Sequence, residues 1–322
     1  MAGGKIGKLT RRQAIAVGAL GATGAAALAV ASGDGSSAKV PVADGNRGGG
    51  RTVNVASKSR LPVVFLPHGG GPWPFADLGF GNEGLPELTR YLESVATLPK
   101  EPPKALLVVS AHWEEKVPTV MTHPSPPMLF DYYGFPPETY ELTWPAPGNP
   151  SLAARTCELL DRAGIPSAAD AARGFDHGTF VPLKLTYPKA EIPTIQLSLK
   201  AGLDPAEHLA IGRAIAPLRD EGVFILGSGM SFHNLRAFRD PRAFGISKEF
   251  DDWLHDTAVR EAADRDARLT AWASAPSARM AHPREEHLIP LMVIAGAAGA
   301  DRGRIAYGDK AFGVRLTGLH FG

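Results

Sequence analysis

Cysteine, long apolar runs and clusters of like charge are all scarce in this 322-residue sequence. Cys157 is the single cysteine, so no internal disulfide can form. The formal net charge is only +1, and the lack of a Lys/Arg-rich run argues against nucleic acid as a partner. No internal repeat is present. What remains, with 44% hydrophobic and 21% charged residues, is the composition of a globular protein with ample material for a core.

The first 31 residues have the features of an export signal. They contain basic but no acidic residues, and the pair Arg11-Arg12 directly precedes a mildly apolar stretch, as in a twin-arginine signal. The segment Ala-Val-Ala that ends at Ala31 is a small-x-small cleavage site. We therefore predict that residues 1–31 are a twin-arginine-type signal peptide. The mature protein would be periplasmic or extracellular without stable membrane insertion; an uncleaved membrane anchor stays open as the alternative.

Composition changes sharply near residue 60. Residues 32–59 are rich in Gly, Ser, Ala and Asn without periodicity, which is typical of a flexible linker. Short apolar runs, typical of strands buried in a central sheet, occur at 61–67, 104–113, 192–199 and 223–229. Helical spacing occurs at 151–164, 204–222, 246–273 and 283–299. This alternation predicts one α/β domain over residues 60–322, with a central, mostly parallel sheet flanked by helices.

Histidines follow these predicted strands. His68 and His112 end two of the apolar runs, and His233 lies just past a third. The carboxyl ends of strands are where open α/β sheets bind ligands. His177, in the segment DHGTF, and His287, in HPREEHLIPLM, also stand beside apolar runs. One such histidine is more often structural than functional, but five together predict a site at the carboxyl ends of the strands. We interpret His123, His208, His255 and His320, on loops, polar helix faces or at the terminus, as structural.

The last predicted helix determines how His287 points. If this helix begins near Pro283, then Leu291, Ile294 and Ala298 lie on the face of His287, so the imidazole should point into the core. Pro290 would then kink the helix next to the histidine. On the same pattern, Glu286 lies on a different face, and we expect it to be a solvated acid in the first helical turn.

Six motifs, in chain order, resemble one known family. They are PHGGGP, VVSAHWE, FDYYGFPPETYELTWPAPG, DHGTFVPL, GSGMSFHNL and HPREEHLIPL, and together they span nearly all of the predicted domain. Each motif alone is weak, but the ordered set is specific. It resembles the class III extradiol ring-cleavage dioxygenases, in the branch similar to DOPA-4,5-dioxygenase.

This resemblance implies a metal site. It implies that His68, His112 and His287 are metal ligands, and that His233 is an acid/base residue within reach of acting as a fourth ligand. It also implies that His177 hydrogen-bonds the substrate or oxygen. His177 stands in a predicted loop next to Asp176, and this acid could fix its tautomer by hydrogen bonding. Non-heme Fe(II) oxygenases commonly use two histidines and a carboxylate, whereas the third ligand here looks like a histidine. An all-imidazole set suits Zn(II) as readily as Fe(II), so the cofactor is one divalent metal, Fe(II) or Zn(II).

The three glycines after His68 admit two compatible interpretations. A phosphate loop is excluded, because neither G-x-x-x-x-G-K-[ST] nor a helix-leading G-x-G-x-x-G is present, and Pro72 and Pro74 would interrupt a following helix. The glycines would instead keep the space beside His68 clear for a planar ring and O2, or form a tight turn that needs positive φ angles.

The resemblance further implies the reaction and its partners. A small catechol would be opened by O2 to a muconic semialdehyde-type product, with His233 taking a proton and His177 orienting oxygen. Four aromatic residues of the third motif would wall the pocket or simply pack in the core: Phe130, Tyr132, Tyr133 and Phe135.

Two other functions stay open on the sequence. A zinc hydrolase could use the same histidines, with His233 or Glu114 as the base that activates water. A non-catalytic, metal-binding relative would keep the site without the reaction. The catechol and the oligomeric state are not specified by the sequence.

Overall fold

Strands and helices alternate along most of the computed structural model, which describes residues 60–79, 83–238 and 240–322. The strands of this described part are β1 (Val63–Pro67), β2 (Ala105–Glu115), β3 (Thr119–Met121), β4 (Ala168–Asp170), β5 (Thr194–Lys200), β6 (Val223–Gly229), β7 (Gly303–Ala311) and β8 (Val314–Phe321). Its helices are α1 (Leu85–Ser94), α2 (Pro150–Arg162), α3 (His177–Thr186), α4 (Pro205–Ile215), α5 (Ala243–Ala258), α6 (Ala262–Thr270), α7 (Ala278–Ala281) and α8 (Ile289–Ala298).

All eight of these strands form one sheet in the order β4-β3-β5-β2-β6-β1-β8-β7. The four central strands pair in parallel, and antiparallel pairs join β8 to β1, β8 to β7 and β3 to β5. Every residue of β1 and β6 is buried, as expected for continuous apolar runs covered on both faces. The predicted α/β domain with a central, mostly parallel sheet is confirmed.

Helices cover both faces of the centre. A Cβ at Gly227 of β6 would contact Ile294 of α8, whereas the hydroxyl of Ser228 donates to the carbonyl of Gly178 in α3. Successive residues of a strand point to opposite faces, so α8 and α3 lie on opposite faces of the sheet. The carboxyl end of β6 is therefore held between two helices.

Two helix ends have residues that are typical of helix termini. The Asp204 carboxylate accepts a hydrogen bond from the backbone N–H of Glu207 at 2.9 Å, so it caps α4 with Pro205 in the first turn. The glycine after α2, Gly164, has a φ of +71°, the left-handed conformation that ends many helices.

The prediction of a single helix over 246–273 is wrong, because the helix is interrupted between Ala258 and Ala262. Because of this interruption, α6 takes a direction in which its buried Arg265 reaches the end of α8. Its guanidinium donates to the carbonyls of Ala295, Gly299 and Asp301 at 2.8 to 3.0 Å. Satisfying these carbonyls outweighs the local helical pattern.

The last helix also begins later than predicted. It starts at Ile289, so Pro290 stands in its first turn, where a missing N–H costs nothing, and the predicted kink does not occur. The carbonyl of His287 instead accepts a hydrogen bond from the N–H of Met230 at 2.9 Å, which ties this segment to the end of β6. Every residue of α8 is buried, so it has no polar face.

The predictions for residues 1–31 and 32–59 lie outside the described residues and stay predictions. Within the described ranges, none of the helices combines the length and apolar character needed to cross a membrane.

Candidate metal centre

Five histidines converge at the carboxyl ends of the central strands. His68 follows β1, His112 lies near the end of β2, and His177 begins α3; His233 follows β6, and His287 precedes α8. The structure thus brings together all five residues that the sequence singled out. The ring centroids of His112 and His177 are 3.9 Å apart, and those of His233 and His287 are 3.3 Å apart and nearly parallel.

Three of these rings aim the same nitrogen at one point. The Nε2 atom of His112 lies 3.1 Å from Nε2 of His68 and 3.2 Å from Nε2 of His287. Nitrogens that share one tetrahedral ion at about 2.0–2.1 Å would lie roughly 3.3 Å from one another. The observed spacing is close to that value.

Hydrogen bonds on the opposite side of two rings fix their tautomers. The Ser228 hydroxyl donates its hydrogen to the carbonyl of Gly178, so it must accept from Nδ1–H of His68, which lies 2.9 Å away. Nδ1 of His287 lies 2.9 Å from Oε1 of Glu286 and donates to that carboxylate. Both Nε2 atoms therefore present lone pairs.

Burial keeps these imidazoles neutral. It lowers the pKa of His68 and of His287 well below the ordinary value, and the neighbouring histidines lower it further. Burial, followed by His177, lowers the pKa of His112 to about 3. A single proton on His112 could satisfy only one of its two neighbours, so lone pairs remain that face one another. A cation at this point would satisfy all three nitrogens, and the residues fit a divalent metal.

Two other combinations of potential ligands lie close by. Atoms of His68, His112 and His177 fall within 4.8 Å of one another, and so do atoms of His233, Glu286 and His287. Nδ1 of His177 is already engaged in a hydrogen bond with Asp131. The convergent Nε2 atoms of His68, His112 and His287 favour that set.

Asp131 is a functional candidate that the sequence reasoning missed. Its Oδ1 lies 2.8 Å from Nδ1 and 2.9 Å from the backbone N of His177, and its Oδ2 lies 3.5 Å from Nδ1 of His112. Burial raises the pKa of this carboxyl, but the hydrogen bond and charge of His177 outweigh that effect, so the pKa is lowered. The acid stays ionised and orients His177.

The predicted partner of His177 was Asp176, and that prediction is wrong. Asp176 is buried, and its carboxylate accepts hydrogen bonds from Ser110, Arg173 and Gln196 at 2.7 to 2.8 Å. His177 also begins a helix rather than lying in a loop. Asp131 stands in the FDYYGF segment, where sequence reasoning considered only the aromatic residues.

Glu286 is not the solvated acid that helical periodicity predicted. Its carboxylate is largely buried, and Oε1 lies 2.9 Å from Nδ1 of His287 and 3.1 Å from Nδ1 of His233. Burial raises its pKa, but the hydrogen bond from His233 outweighs this, so the pKa is lowered. The expectation failed because α8 begins after Glu286, which leaves this residue free to face the site. Glu286 thus lies beside His287 and His233, just as Asp131 lies beside His112 and His177.

A cavity of about 450 Å³ opens beside the histidines. The residues that line it are His68, residues 69–71, Leu78, His112, Tyr132, Tyr133, Phe135, His177, Met230, His233, Leu235, Phe238, His287 and Phe312. Three of the four aromatic residues predicted to wall a pocket do so. The fourth, Phe130, packs against Tyr132, Tyr140 and Phe180 instead.

The glycines after His68 line this cavity and form a turn. Gly69 and Gly71 have φ angles of +83° and +47°, which favour glycine. A Cβ at Gly69 would lie 2.6 Å from the ring of Trp73, and one at Gly71 would lie 3.0 Å from Phe135. The turn therefore needs glycine at both positions, and a side chain at Gly71 would displace Phe135 of the cavity wall. That the glycines leave space for a ring and O2 stays a prediction.

The glycines at the end of β6 make room for neighbouring backbone. A Cβ at Gly229 would lie 2.2 Å from the carbonyl oxygen of His287, and one at Gly227 would lie 2.9 Å from that of Pro290. These close approaches set the position of His287.

The remaining candidates lie away from the cluster. Glu114, considered as a base, is ion-paired with Arg284 and does not line the cavity. His208 was expected on a polar helix face but is buried, where its Nε2 accepts from the N–H of Lys200 at 3.0 Å. Its role is nevertheless structural, as predicted.

Comparison with known proteins gives consistent matches. Residues 64–318 match the protein family described as "Catalytic LigB subunit of aromatic ring-opening dioxygenase". The chain is 37% identical over 278 residues to dioxygenase tasH of Hapsidospora irregularis, covering 81% of this chain and 85% of that protein. It is 40% identical over 225 residues to 4,5-DOPA dioxygenase extradiol of Beta vulgaris, covering 65% and 83%. The crystal structure of an uncharacterized protein of Escherichia coli K12 matches with a TM-score of 0.67 and 31% identity, covering 82% of this chain and 100% of that one.

Proposed function

The chain belongs to the family of the catalytic LigB subunit of aromatic ring-opening dioxygenases, and from that premise we propose that it opens a catechol ring with O2. The proposed reaction is extradiol cleavage, an oxidoreductase reaction that places both oxygen atoms in a muconic semialdehyde-type product. The observation that carries the proposal is the cluster of three Nε2 atoms beside a largely apolar cavity, in which Nε2 of His112 lies 3.1 Å from that of His68 and 3.2 Å from that of His287.

Enzymes of this family use a metal, and we assign its ligands here to His68, His112 and His287. His233 stacks on His287 and is within reach as a fourth ligand. A bound divalent metal would acidify both catechol hydroxyls and, as Fe(II), would activate O2. We propose Fe(II) for the dioxygenase reaction, with Zn(II) as the alternative that three imidazoles also suit.

His233 is the residue that we propose as the proton acceptor. Its Nδ1 is engaged by Glu286 at 3.1 Å, so Nε2 is the nitrogen left to take a proton from a catechol hydroxyl in the cavity. The carboxylate would stabilise the imidazolium that forms. The pair is thus a base whose orientation is fixed before the substrate arrives.

His177 is the residue that we propose to position oxygen. Asp131 holds its Nδ1, and the same carboxylate accepts the backbone N–H of His177, so the ring can rotate little. Nε2 is left to hydrogen-bond an oxygen atom of the substrates inside the cavity. Both proposed roles thus use a carboxylate–histidine pair: Glu286 with His233, and Asp131 with His177.

Anaerobic reconstitution with Fe(II), followed by a panel of catechols and admission of O2, tests the proposal. We expect O2 uptake together with a yellow semialdehyde product. Hydrolysis without O2 uptake would support a zinc hydrolase instead. If the iron-loaded protein turned over none of the catechols, a non-catalytic metal-binding role would replace the proposal.

We also propose export through a twin-arginine signal at residues 1–31. The support is the pair Arg11-Arg12 before a weakly apolar stretch, and that pathway carries proteins already folded with their metal. Replacing both arginines with Lys should leave the precursor in the cytoplasm. Cell fractionation followed by immunoblotting locates the double variant. Normal export of this variant would contradict the proposal.

A further inference from the structure

The cavity is larger than a bare catechol needs. Its volume of about 450 Å³ falls within the range of roughly 300–1,000 Å³ that holds drug-sized ligands. The five histidines form one cluster, so a catechol chelated there would occupy only that end. The rest of the cavity is left for a ring substituent.

The lining beyond the histidines is apolar. Within residues 60–79, 83–238 and 240–322, no Asp, Glu, Lys or Arg side chain lines the cavity. The walls are formed by aliphatic and aromatic side chains, namely Leu78, Phe135, Met230, Phe238 and Phe312. An ionised substituent buried among them would lose its hydration without gaining a partner, which disfavours binding.

Two large apolar side chains of the lining are also exposed to solvent. Tyr133 is 90% exposed and Leu235 is 74% exposed, so both stand at the mouth of the cavity. Exposed apolar groups beside a pocket commonly mark a ligand-binding surface. A hydrophobic substituent that reached the mouth would remove part of this surface from water.

We propose that the preferred substrates are catechols with a bulky, uncharged hydrophobic substituent, an alkyl or aryl group, rather than a carboxylate or an amino-acid side chain. The substituent would lie against the apolar walls and reach Leu235 and Tyr133. This inference rests on the proposed function, because it takes the catechol oxygens to be held at the histidine cluster. It predicts that DOPA, whose side chain is zwitterionic, is not the preferred substrate of this chain.

Binding to the Zn(II)-loaded protein under nitrogen tests the proposal without turnover. Calorimetric titration would compare 4-tert-butylcatechol, 4-methylcatechol and DOPA. We expect Kd to be at least about tenfold lower for 4-tert-butylcatechol than for 4-methylcatechol, and DOPA to bind more weakly than either. DOPA binding as tightly as 4-tert-butylcatechol would overturn the inference.

A variant pair identifies the surface involved. Leu235→Asp should weaken binding of 4-tert-butylcatechol more than that of 4-methylcatechol. Ile305→Asp, which changes a 40%-exposed aliphatic residue of β7 outside the cavity, should alter neither affinity. Equal losses in the two variants would overturn the assigned surface. Equal affinity for all three catechols would overturn only the substrate preference, whereas failure of every catechol to bind would overturn the proposed function as well.

Discussion

At the scale of single residues, three imidazole nitrogens are the proposed metal ligands. Each of His68→Ala, His112→Ala and His287→Ala removes one of three Nε2 atoms that lie together, so each variant should lose most of its metal. Metal analysis of the reconstituted, purified protein measures this loss. His123→Ala, a loop histidine that accepts from the N–H of Ser125, is the matched control and should keep its metal. A full complement of metal in His287→Ala would refute the assignment.

His177 and His233 should matter more for turnover than for metal binding. A positioned acid or base typically contributes ~10²- to 10⁴-fold in rate, so kcat should fall about a hundredfold or more in either Ala variant. Metal should be retained, and catechol affinity should change by less than roughly tenfold, about 1.4 kcal/mol. Asp131→Asn should lower kcat by about 10- to 100-fold through the orientation of His177. Metal content, anaerobic catechol titration and O2 uptake on one preparation test these expectations.

One result would reassign a role. If His233→Ala lost its metal as His68→Ala does, then His233 would be a ligand and could not be the proton acceptor. The proton would then leave through His177 or the solvent. Asp252→Asn, which changes a surface carboxylate of α5 that pairs with Lys248, is the control for Asp131→Asn and should keep full activity.

At the scale of elements, buried strands were the most predictable part. The runs that became β1 and β6 consist almost entirely of apolar residues and glycine, and burial on both faces of a parallel sheet needs little else. The ends of helices were less predictable, since they depend on partners far along the chain. The carbonyls at the end of α8 select Arg265 of α6, and local periodicity contains no information about that pairing.

The candidate site likewise has one part that the sequence predicts and one part that it does not. Five histidines could be found because each stands beside an apolar run and a family motif. Their acidic partners could not: Asp131 meets His177 across 46 residues of sequence, and Glu286 faces inward only because α8 begins after it. Tertiary packing decides which carboxylate reaches an imidazole, so spacing along the chain does not reveal it.

The end of β6 offers a direct test at this scale. In Gly229→Ala, the added Cβ would lie 2.2 Å from the carbonyl oxygen of His287, so backbone must move. We expect a loss of about 1–3 kcal/mol in the free energy of unfolding and weaker metal binding. Gly245→Ala on α5 meets nothing within 4 Å and should stabilise by up to about 1 kcal/mol. Urea unfolding and metal titration would measure both; an unchanged Gly229→Ala protein would contradict the packing described.

At the scale of the whole molecule, buried neutral histidines should make the metal-free fold sensitive to acid. Burial lowers the pKa of His112 and of His282 to about 3, and that of His320 to about 4. Because the unfolded value is about 6.5, the unfolded chain takes up these protons first as the pH falls. Stability is therefore full above pH ~6.5 and declines below it, by about 1.4 kcal/mol per pH unit for each histidine.

Urea unfolding of the metal-free protein between about pH 7.5 and pH 5 checks this slope, in a range where carboxylates remain largely ionised. His282→Gln keeps a side-chain N–H near the position of Nε2 for the carbonyl of Ser231 but removes one titrating group, so it should reduce the slope by one histidine's share. A free energy of unfolding that did not change over this range would contradict the burial of neutral imidazoles.

The proposed reaction at the histidine cluster is the insertion of O2 into an aromatic ring. Its most direct test is single-turnover reaction of the Fe(II)-loaded protein with a catechol under ¹⁸O2, followed by mass spectrometry of the ring-opened product. We expect both atoms of one O2 molecule in that product, and no labelled product from His68→Ala. A product that carried no label, or oxygen from water alone, would contradict dioxygenase chemistry at these histidines.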